Sequence, residues 1–589
     1  MAAERHPRAT WRGGLAASLV AIAGLALAVS AAACRRAADP AAAQGTPPAG
    51  PIHLVDATAE SGIRFVHTDG GSGRRYLIEP MSAGVATFDY DLDGLIDVYL
   101  LDGAALPGTV LDPPPRNALY RNRGGWRFED RSVASGLADP GYGLGVVVGD
   151  VDNDGFPDVY LNNHGPNVLF VNNGDGTFTD ATAAAGVDGG DLTGAGACLA
   201  DVDVDGDLDL YVGNYLRFDP AEHVQRTIDG LPSYPSPRDF QAVPDMLFVN
   251  EGDGRFTDAS GPSGVAGRAA RAMGCIAADA DDDGDVDIFV ANDVDPNIHW
   301  INDGTGRFVD RGLEDGTAFN EFGDENAGMG VDCGDYDGDG RLDFFMTTYR
   351  GQMPVMYRNV GGGIFQDVTT RCGASDGTFE QVKWGTALVD LDGDGRVDAF
   401  IVNGHTEDNI EQRDRSACYR CTHSVLHNRG GRFVNVTGSA GPGLAARHSG
   451  RGAAFDDLDG DGDVDAVILN SRERPTLLRN ESPGGNHWLA VELVGLSANR
   501  DAVGARVRLS SGGRTQVAEV HAGRGYQGHH GTRLTFGLGG STTVDAIEVR
   551  FPGGRTIRHE GLAADRRVRI REDGAMHVVA GSSRPPADR

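Results

Sequence analysis

Positive charge is scarce in this chain. It has 52 Lys and Arg against 85 Asp and Glu, a formal net charge of −33 over 589 residues. That balance argues against nucleic acid as a partner. Aromatic residues are few, at 7%, beside 86 Gly and 27 Pro; this suits a turn-rich β protein better than a helical one. Long apolar runs are missing beyond the first 34 residues, so no later stretch reads as a membrane-spanning helix. Also absent are a nucleophile motif and a recognisable acid–base pair.

Aspartate is abundant, and it is ordered. The stretch Asp89-Tyr-Asp91-Leu-Asp93-Gly94-Leu-Ile-Asp97 occurs seven times, with Asp at positions 1, 3, 5 and 9 and Gly at position 6. The other copies hold Asp150, Asp152, Asp154 and Asp158; Asp201, Asp203, Asp205 and Asp209; Asp279, Asp281, Asp283 and Asp287; Asp335, Asp337, Asp339 and Asp343; Asp390, Asp392, Asp394 and Asp398; and Asp457, Asp459, Asp461 and Asp465. Four carboxylates in nine residues repel one another unless a cation sits between them. Asp-x-Asp-x-Asp-Gly matches the first half of a calcium loop, and hard Ca2+ takes six to eight oxygen ligands. An EF-hand is excluded, because position 12 is not Glu and a β-branched, aromatic run follows, such as Val98-Tyr-Leu100 or Ile288-Phe-Val290. Each loop therefore feeds a strand. One such site per repeat points to structural calcium, since catalytic metals usually appear once.

Repeats of about fifty residues imply an array or a propeller. Five residues before each loop stands Gly84, Gly145, Gly196, Gly274, Gly330, Gly385 or Gly452. That residue marks a first strand, and the second follows the loop. A third strand ends in Asn122, Asn172, Asn250, Asn302, Asn359, Asn428 or Asn480, and a fourth reads Phe-x-Asp, as at Phe178/Asp180. Seven loops have only six fourth strands. The seventh lies at the other end, where Leu54-Val-Asp56-Ala-Thr58 matches Phe178-Thr-Asp180-Ala-Thr182. Pairing it with the strand ending at Asn480 closes a ring and removes two sheet edges. The expected fold is all-β: a seven-bladed propeller over 52–482, closed by its N-terminal strand, then a small β-sandwich over 486–572. Sandwich strands are expected at 488–494, 505–510, 515–521, 533–537, 546–551 and 566–571, and residues 573–589 read as a flexible tail.

These motifs resemble FG-GAP/VCBS propeller repeats. The tail motifs Asn486-His-Trp488, Asn499-Arg500-Asp-Ala-Val-Gly504, Gly523-Arg-Gly525-Tyr526 and Phe551-Pro-Gly-Gly554 resemble the ASPIC/UnbV domain. That domain follows such propellers in proteins similar to the cartilage acidic protein family. The resemblance implies an extracellular, calcium-binding protein. Phe551 departs from the family's usual Trp.

At the N-terminus, Arg5, Arg8 and Arg12 precede an apolar run ending in Ser30-Ala-Ala-Ala-Cys34. Residues 1–34 read as an export signal. Cleavage falls near Ala33, or Cys34 becomes the lipidated first residue of a lipoprotein, which would be the only membrane attachment. Residues 35–51 are an Ala/Pro-rich linker. The expected location is extracellular, periplasmic or the outer surface. Cys198, Cys275 and Cys333 sit in apolar strands and read as buried thiols. Cys418 and Cys421 are disulfide candidates, either with each other or with Cys372.

In four-stranded blades the acidic loops share one face of the disc. The opposite face carries the large insertions, 102–116, 214–244 and 403–424, and variable loops on a rigid scaffold are where binding residues concentrate. Candidates there are Arg74, Arg75, Tyr76, Tyr215, Arg217, Tyr234, Arg268, Arg271, Lys383, Trp384, Arg447, His448 and Arg451, a cationic and aromatic set suited to an anionic or sugar-like ligand. Two function classes follow: a binding or adhesion module for an extracellular glycan or protein, or a polysaccharide lyase or hydrolase using the same face. The basic tail beside an acidic ring reads either as surface composition or as electrostatic docking.

Overall fold

The computed structural model describes residues 50–81, 84–252 and 254–579. The expected export signal, Cys34 and nearly all of the linker lie outside them. Seven four-stranded antiparallel units follow one another along the chain, those of blades 2 and 3 joined into one sheet through Thr193↔His164. In blade 2 the strands are Tyr142–Gly149, Asp158–His164, Val168–Asn172 and Phe178–Asp180. Blade 7 consists of Gly450–Asp456, Asp465–Asn470 and Thr476–Asn480, with Leu54–Asp56 as its fourth strand, in register Leu54↔Asn480. First strands of successive blades touch, and that of blade 7 touches Val85–Phe88 of blade 1. The ring is closed.

The repeated glycine before each loop has a steric reason. First strands line the channel, where backbones crowd. A Cβ on Gly145 would lie 2.1 Å from the carbonyl oxygen of Ala195, and one on Gly330 2.6 Å from that of Trp384.

The C-terminal unit is a sandwich of two four-stranded sheets. One runs in the order Leu534–Gly539, His487–Val494, Arg566–Arg571, Met576–Val579. The other runs Arg514–Glu519, Arg506–Ser511, Thr543–Arg550, Thr556–Ala563. Two of these strands correct the sequence reading. Thr556–Ala563 is an exposed, largely polar edge strand with little apolar alternation. Met576–Val579, expected to be flexible, is held by pairing with Arg566–Arg571. The sandwich core, including Val491, Leu509, Ile547 and Ile570, is continuous with Val147, Leu199 and Leu210 of the ring.

Candidate functional site

The acidic loops repeat one hydrogen-bond pattern. In blade 1 the position-1 carboxylate of Asp89 accepts the N–H groups of Asp93 and Gly94 at 3.0 and 2.7 Å. The position-9 carboxylate of Asp97 accepts those of Tyr90 and Asn122 at 3.1 and 2.6 Å. Position 9 thus ties its loop to the third strand, and the same pair of bonds recurs at Asp158 and Asp465. Burial first, then neighbouring carboxylates, push these acids up: Asp89 to about 6, Asp201 to about 7, and Asp150, Asp158 and Asp209 to about 8. Asp91 Oδ1 and Asp203 Oδ1 are buried with no hydrogen-bond partner. Triads such as Asp89/Asp91/Asp97, Asp150/Asp152/Asp158 and Asp201/Asp203/Asp209 bring oxygens within 4.8 Å of one another, close enough to hold a cation. An all-oxygen donor set with unspent lone pairs fits a hard divalent ion, whose charge would return the carboxylates to their ionised form.

Each third-strand Asn has a second task. Its side-chain amide donates to the position-2 carbonyl of the preceding blade. The bonds are Asn172 to Tyr90, Asn250 to Val151, Asn302 to Val202, Asn359 to Ala280, Asn428 to Tyr336 and Asn480 to Leu391, all 2.7–3.0 Å. The seventh runs from Asn122 to Leu458, across the closure. The sequence pattern marked these residues as strand ends but held no sign of a bond between blades.

The acidic face is covered. Arg567 Nη1 donates to the carbonyl of Gly94 at 2.9 Å, Arg514 Nη1 to that of Asp394 at 2.5 Å, and Arg550 pairs with Asp279. Arg506 bridges Glu519 and Asp282, at 2.8 and 2.5 Å. Asp501 accepts the N–H of Asp150 at 2.8 Å. The charge contrast is therefore a docking contact between sandwich and ring, not mere surface composition.

From this face the segment 521–531 enters the channel. His529–His530 adds as a parallel strand to blade 1, with Ala86↔His529. Ala522 bridges Leu199 of blade 3, and Gly525 bridges Val331 of blade 5. Gly523 and Gly525 take φ of +89° and +77°, and a Cβ on Gly523 would lie 2.1 Å from the carbonyl oxygen of Ala197; only glycine passes there. At the tip, buried Tyr526 donates to the carbonyl of Met81 at 3.0 Å and packs edge-on against Trp384, centroids 5.0 Å apart.

Beyond Trp384, at the insertion-bearing mouth, lies a cavity of about 440 Å³. Tyr215, Tyr349, Met273 and Met329 form its depth, and Ile228, Tyr234 and Glu407 come from insertions. Tyr215 donates to Asp293 at 2.7 Å, and Tyr234 to Glu79 at 3.1 Å. Burial raises Glu79 to about 7.

The candidate cations do not converge here as free charges. Arg451 is buried, with its guanidinium 4.3 Å over Trp384 and bonded to the carbonyls of Pro80, Gly450 and His405. Lys383, the single lysine of the chain, is buried among the carbonyls of Tyr349, Gln352, Thr378 and Gln381 at 3.0–3.3 Å. Desolvation lowers it to about 7, while those four acceptors hold its proton. Arg75 pairs with Glu407 and Asp408 above the Tyr234 ring, Arg268 with Asp310, Arg271 with Asp295, and His448 with Glu473. Tyr76 is buried and donates to the Pro107 carbonyl, and Arg74 bonds the Tyr76 hydroxyl. Arg217 and Arg447 are exposed. The cavity walls are thus mainly apolar, aromatic and acidic, and the buried cations among the candidates are all paired, because burial forces each of them to find an acceptor. Sequence order could not reveal that pairing.

Cys418 and Cys421 form a disulfide with Cα atoms 5.6 Å apart, and Cys372, the other candidate partner, is a free buried thiol. Cys198, Cys275 and Cys333 are free and buried as well. No helix among the described residues is long and apolar enough to cross a membrane.

The FG-GAP-like repeat profile matches residues 89–161, 150–212, 279–346 and 335–401, and the ASPIC and UnbV profile matches residues 495–576. The chain is an FG-GAP-like repeat propeller with an ASPIC and UnbV domain. It is 28% identical to cartilage acidic protein 1 of Homo sapiens over 278 residues, which are 45% of this chain and 37% of that protein. Against cartilage acidic protein 1 of Xenopus tropicalis it is 43% identical over 74 residues, 12% of this chain and 11% of that one. The match thus spans well under half the length of these relatives. Among solved structures, a BP39L lectin from Burkholderia pseudomallei has a TM-score of 0.39 at 14% identity, covering 67% of this chain and 95% of that one. A lectin of Agrocybe aegerita that recognises terminal N-acetylglucosamine has a TM-score of 0.38 at 17% identity, covering 67% and 93%. Likeness at that level carries nothing about a ligand.

The ASPIC and UnbV domain therefore both caps the acidic loops of the FG-GAP-like repeats and fills their channel. Its Gly523-Arg-Gly525-Tyr526 motif was legible as a motif, but its place inside the ring was not.

Proposed function

We propose that this chain is an exported binding module, in which calcium ions in the acidic loops stiffen the propeller and a ligand seats at the insertion-bearing mouth. Supporting this is the aromatic-walled cavity of about 440 Å³ backed by Trp384. Ligand pockets are typically concave, mostly apolar and pre-formed, with a few polar groups that fix orientation. A sugar ring fits that chemistry: its C–H face packs on aromatic surface, and its hydroxyls reach Asp293, Glu407 and the Tyr234 hydroxyl. A protein ligand presenting an apolar side chain would use the same walls. The expected outcome is calcium-dependent binding of an oligosaccharide in calorimetric titration, weakened at least tenfold by Tyr234→Ala and by Glu407→Gln. Binding unchanged in both variants would place the ligand elsewhere.

One observation favours an enzymatic reading. Glu79, raised to about 7 by burial, accepts a hydrogen bond from Tyr234, which lines the cavity, and an acid poised near neutrality next to a phenol is suited to proton transfer. Polysaccharide cleavage that Glu79→Gln abolishes, with the melting temperature unchanged, would establish it. Binding without product over hours would remove it.

A further inference from the structure

In blades 1, 5 and 6 the residue before the third-strand Asn meets the acidic loop of its own blade. In blade 1 it is Arg121, 2.7 Å from Asp91 and 2.9 Å from Asp93. In blade 5 it is Arg358, 2.5 Å from Asp337 and 2.8 Å from Asp339. In both blades the side chain reaches loop positions 3 and 5. Blades 2, 3 and 4 carry Val171, Val249 and Ile301 there, and blade 7 carries Arg479. Blade 6 alone carries a histidine, His427.

His427 is 9% exposed, and neither of its ring nitrogens makes a hydrogen bond. Its Nε2 stands 3.1 Å from Asp392 Oδ2, outside hydrogen-bond geometry. Asp394 Oδ1 is also buried without a hydrogen-bond partner. Asp392, Asp394 and His427 each bring a donor atom within 4.8 Å of the others. Most other buried imidazoles bond through at least one nitrogen: His299 Nδ1 lies 2.6 Å from Asp315, and His521 Nδ1 lies 2.9 Å from the carbonyl oxygen of Ala277. Blade 1 and blade 3 also leave a loop oxygen unbonded, at Asp91 and Asp203, but blade 6 adds to such an oxygen an imidazole with both nitrogens unbonded.

We propose that the blade 6 loop is a mixed carboxylate–imidazole site that takes a zinc-like first-row transition ion in preference to calcium. The inference rests on reading the loops as cation sites. Calcium seeks oxygen ligands, whereas an imidazole nitrogen with two carboxylates suits borderline ions such as Zn2+. Asp390 and Asp398 remain the frame of the loop: Asp390 accepts the N–H groups of Asp394 and Gly395, and Asp398 those of Asn428 and Leu391. Arg396 holds the other oxygen of Asp394, at 2.5 Å, and Arg514 stands 3.9 Å from Oδ1, too far to satisfy it. A doubly charged ion displaces that weaker contact.

The test uses untagged full-length protein in saturating calcium, with Co2+ as the spectroscopic probe. One Co2+ per chain is expected to be retained, with visible absorption and hyperfine-shifted imidazole ring protons in the NMR spectrum. His427→Gln should weaken that binding at least tenfold while keeping the calcium-dependent rise in melting temperature, which also verifies its fold. Loss of Co2+ from wild-type protein in excess calcium would overturn the proposal, as would equal binding by the variant or bound Co2+ without shifted imidazole protons. If calcium fails to raise the melting temperature, the general reading of the loops falls, and the cobalt spectra still judge blade 6 by themselves.

Discussion

The side-chain amide of Asn122 in blade 1 donates to the main-chain carbonyl of Leu458 in blade 7 at 2.8 Å, 336 positions away in sequence. The same amide also donates to Ile96 within its own loop at 2.9 Å. One side chain thus joins a cation loop, a third strand and the ring closure. Replacing Asn122 by Ala leaves two buried carbonyls without donors. The expected loss is about 2–4 kcal/mol, from roughly 1–3 per orphaned group, read as a lower melting temperature. Asn173→Ala, at an exposed position next to the equivalent Asn172 of blade 2, should change stability by no more than about 0.5 kcal/mol.

Cation removal should act on every blade at once. Ligands that bind only the folded state stabilise it by about 2.7 kcal/mol per site at a hundredfold excess over Kd. Excess chelator is therefore expected to lower the melting temperature by on the order of tens of degrees, and calcium to restore it. Asp203→Asn, which weakens a single loop, should remove only a fraction of that gain. A calorimetric melt unmoved by chelator would eliminate structural calcium.

Tyr526 reports on the channel segment. Tyr526→Phe loses the bond to Met81 and should cost about 1 kcal/mol, whereas Tyr526→Ala leaves a cavity beside Trp384 and should cost about 3–5 kcal/mol. The Ala variant is further expected to red-shift Trp384 fluorescence and to speed hydrogen exchange across 521–531. Exchange there as slow as in wild type would show that the tip does not anchor the segment.

Acid should loosen the same segment. Burial, aided by Arg524, lowers His521 to about 4, His529 to about 3 and His530 well below the usual range. Each folded-state pKa lies below the unfolded value near 6.5, so the unfolded segment binds more protons between the two. Stability is fully present above about pH 6.5 and falls on acidification at roughly 1.4 kcal/mol per pH unit for each histidine. Exchange of the 521–531 amides, measured from pH 7 to 5 in saturating calcium and corrected for intrinsic rates, should quicken. His529→Gln should flatten the trend.

Local periodicity made most of the ring legible. Seven Asp loops, the glycine five residues before each and the alternating apolar strands name the blades, because strand and turn chemistry depends on near neighbours. Even the closure at Leu54–Asp56 could be read, since the strand tally was one short at one end and one over at the other. The polar edge strand Thr556–Ala563 escaped because it is largely exposed, so it lacks the apolar alternation by which a half-buried strand is read. The pairing of the candidate cations was hidden for another reason: Arg271 and Arg451 meet acceptors such as Phe240 and Pro80 only after distant loops arrive.

Residue order by itself determined the repeat, the strand pattern of each blade and the clustering of carboxylates in its loop, since each is written within nine to sixty residues. Tertiary structure alone decided that the basic sandwich faces the acidic loops, that residues 521–531 fill the channel, and that Trp384 stands between this segment and the cavity. Those outcomes depend on which backbone can approach which across a closed ring, a steric and electrostatic fit that no local pattern encodes.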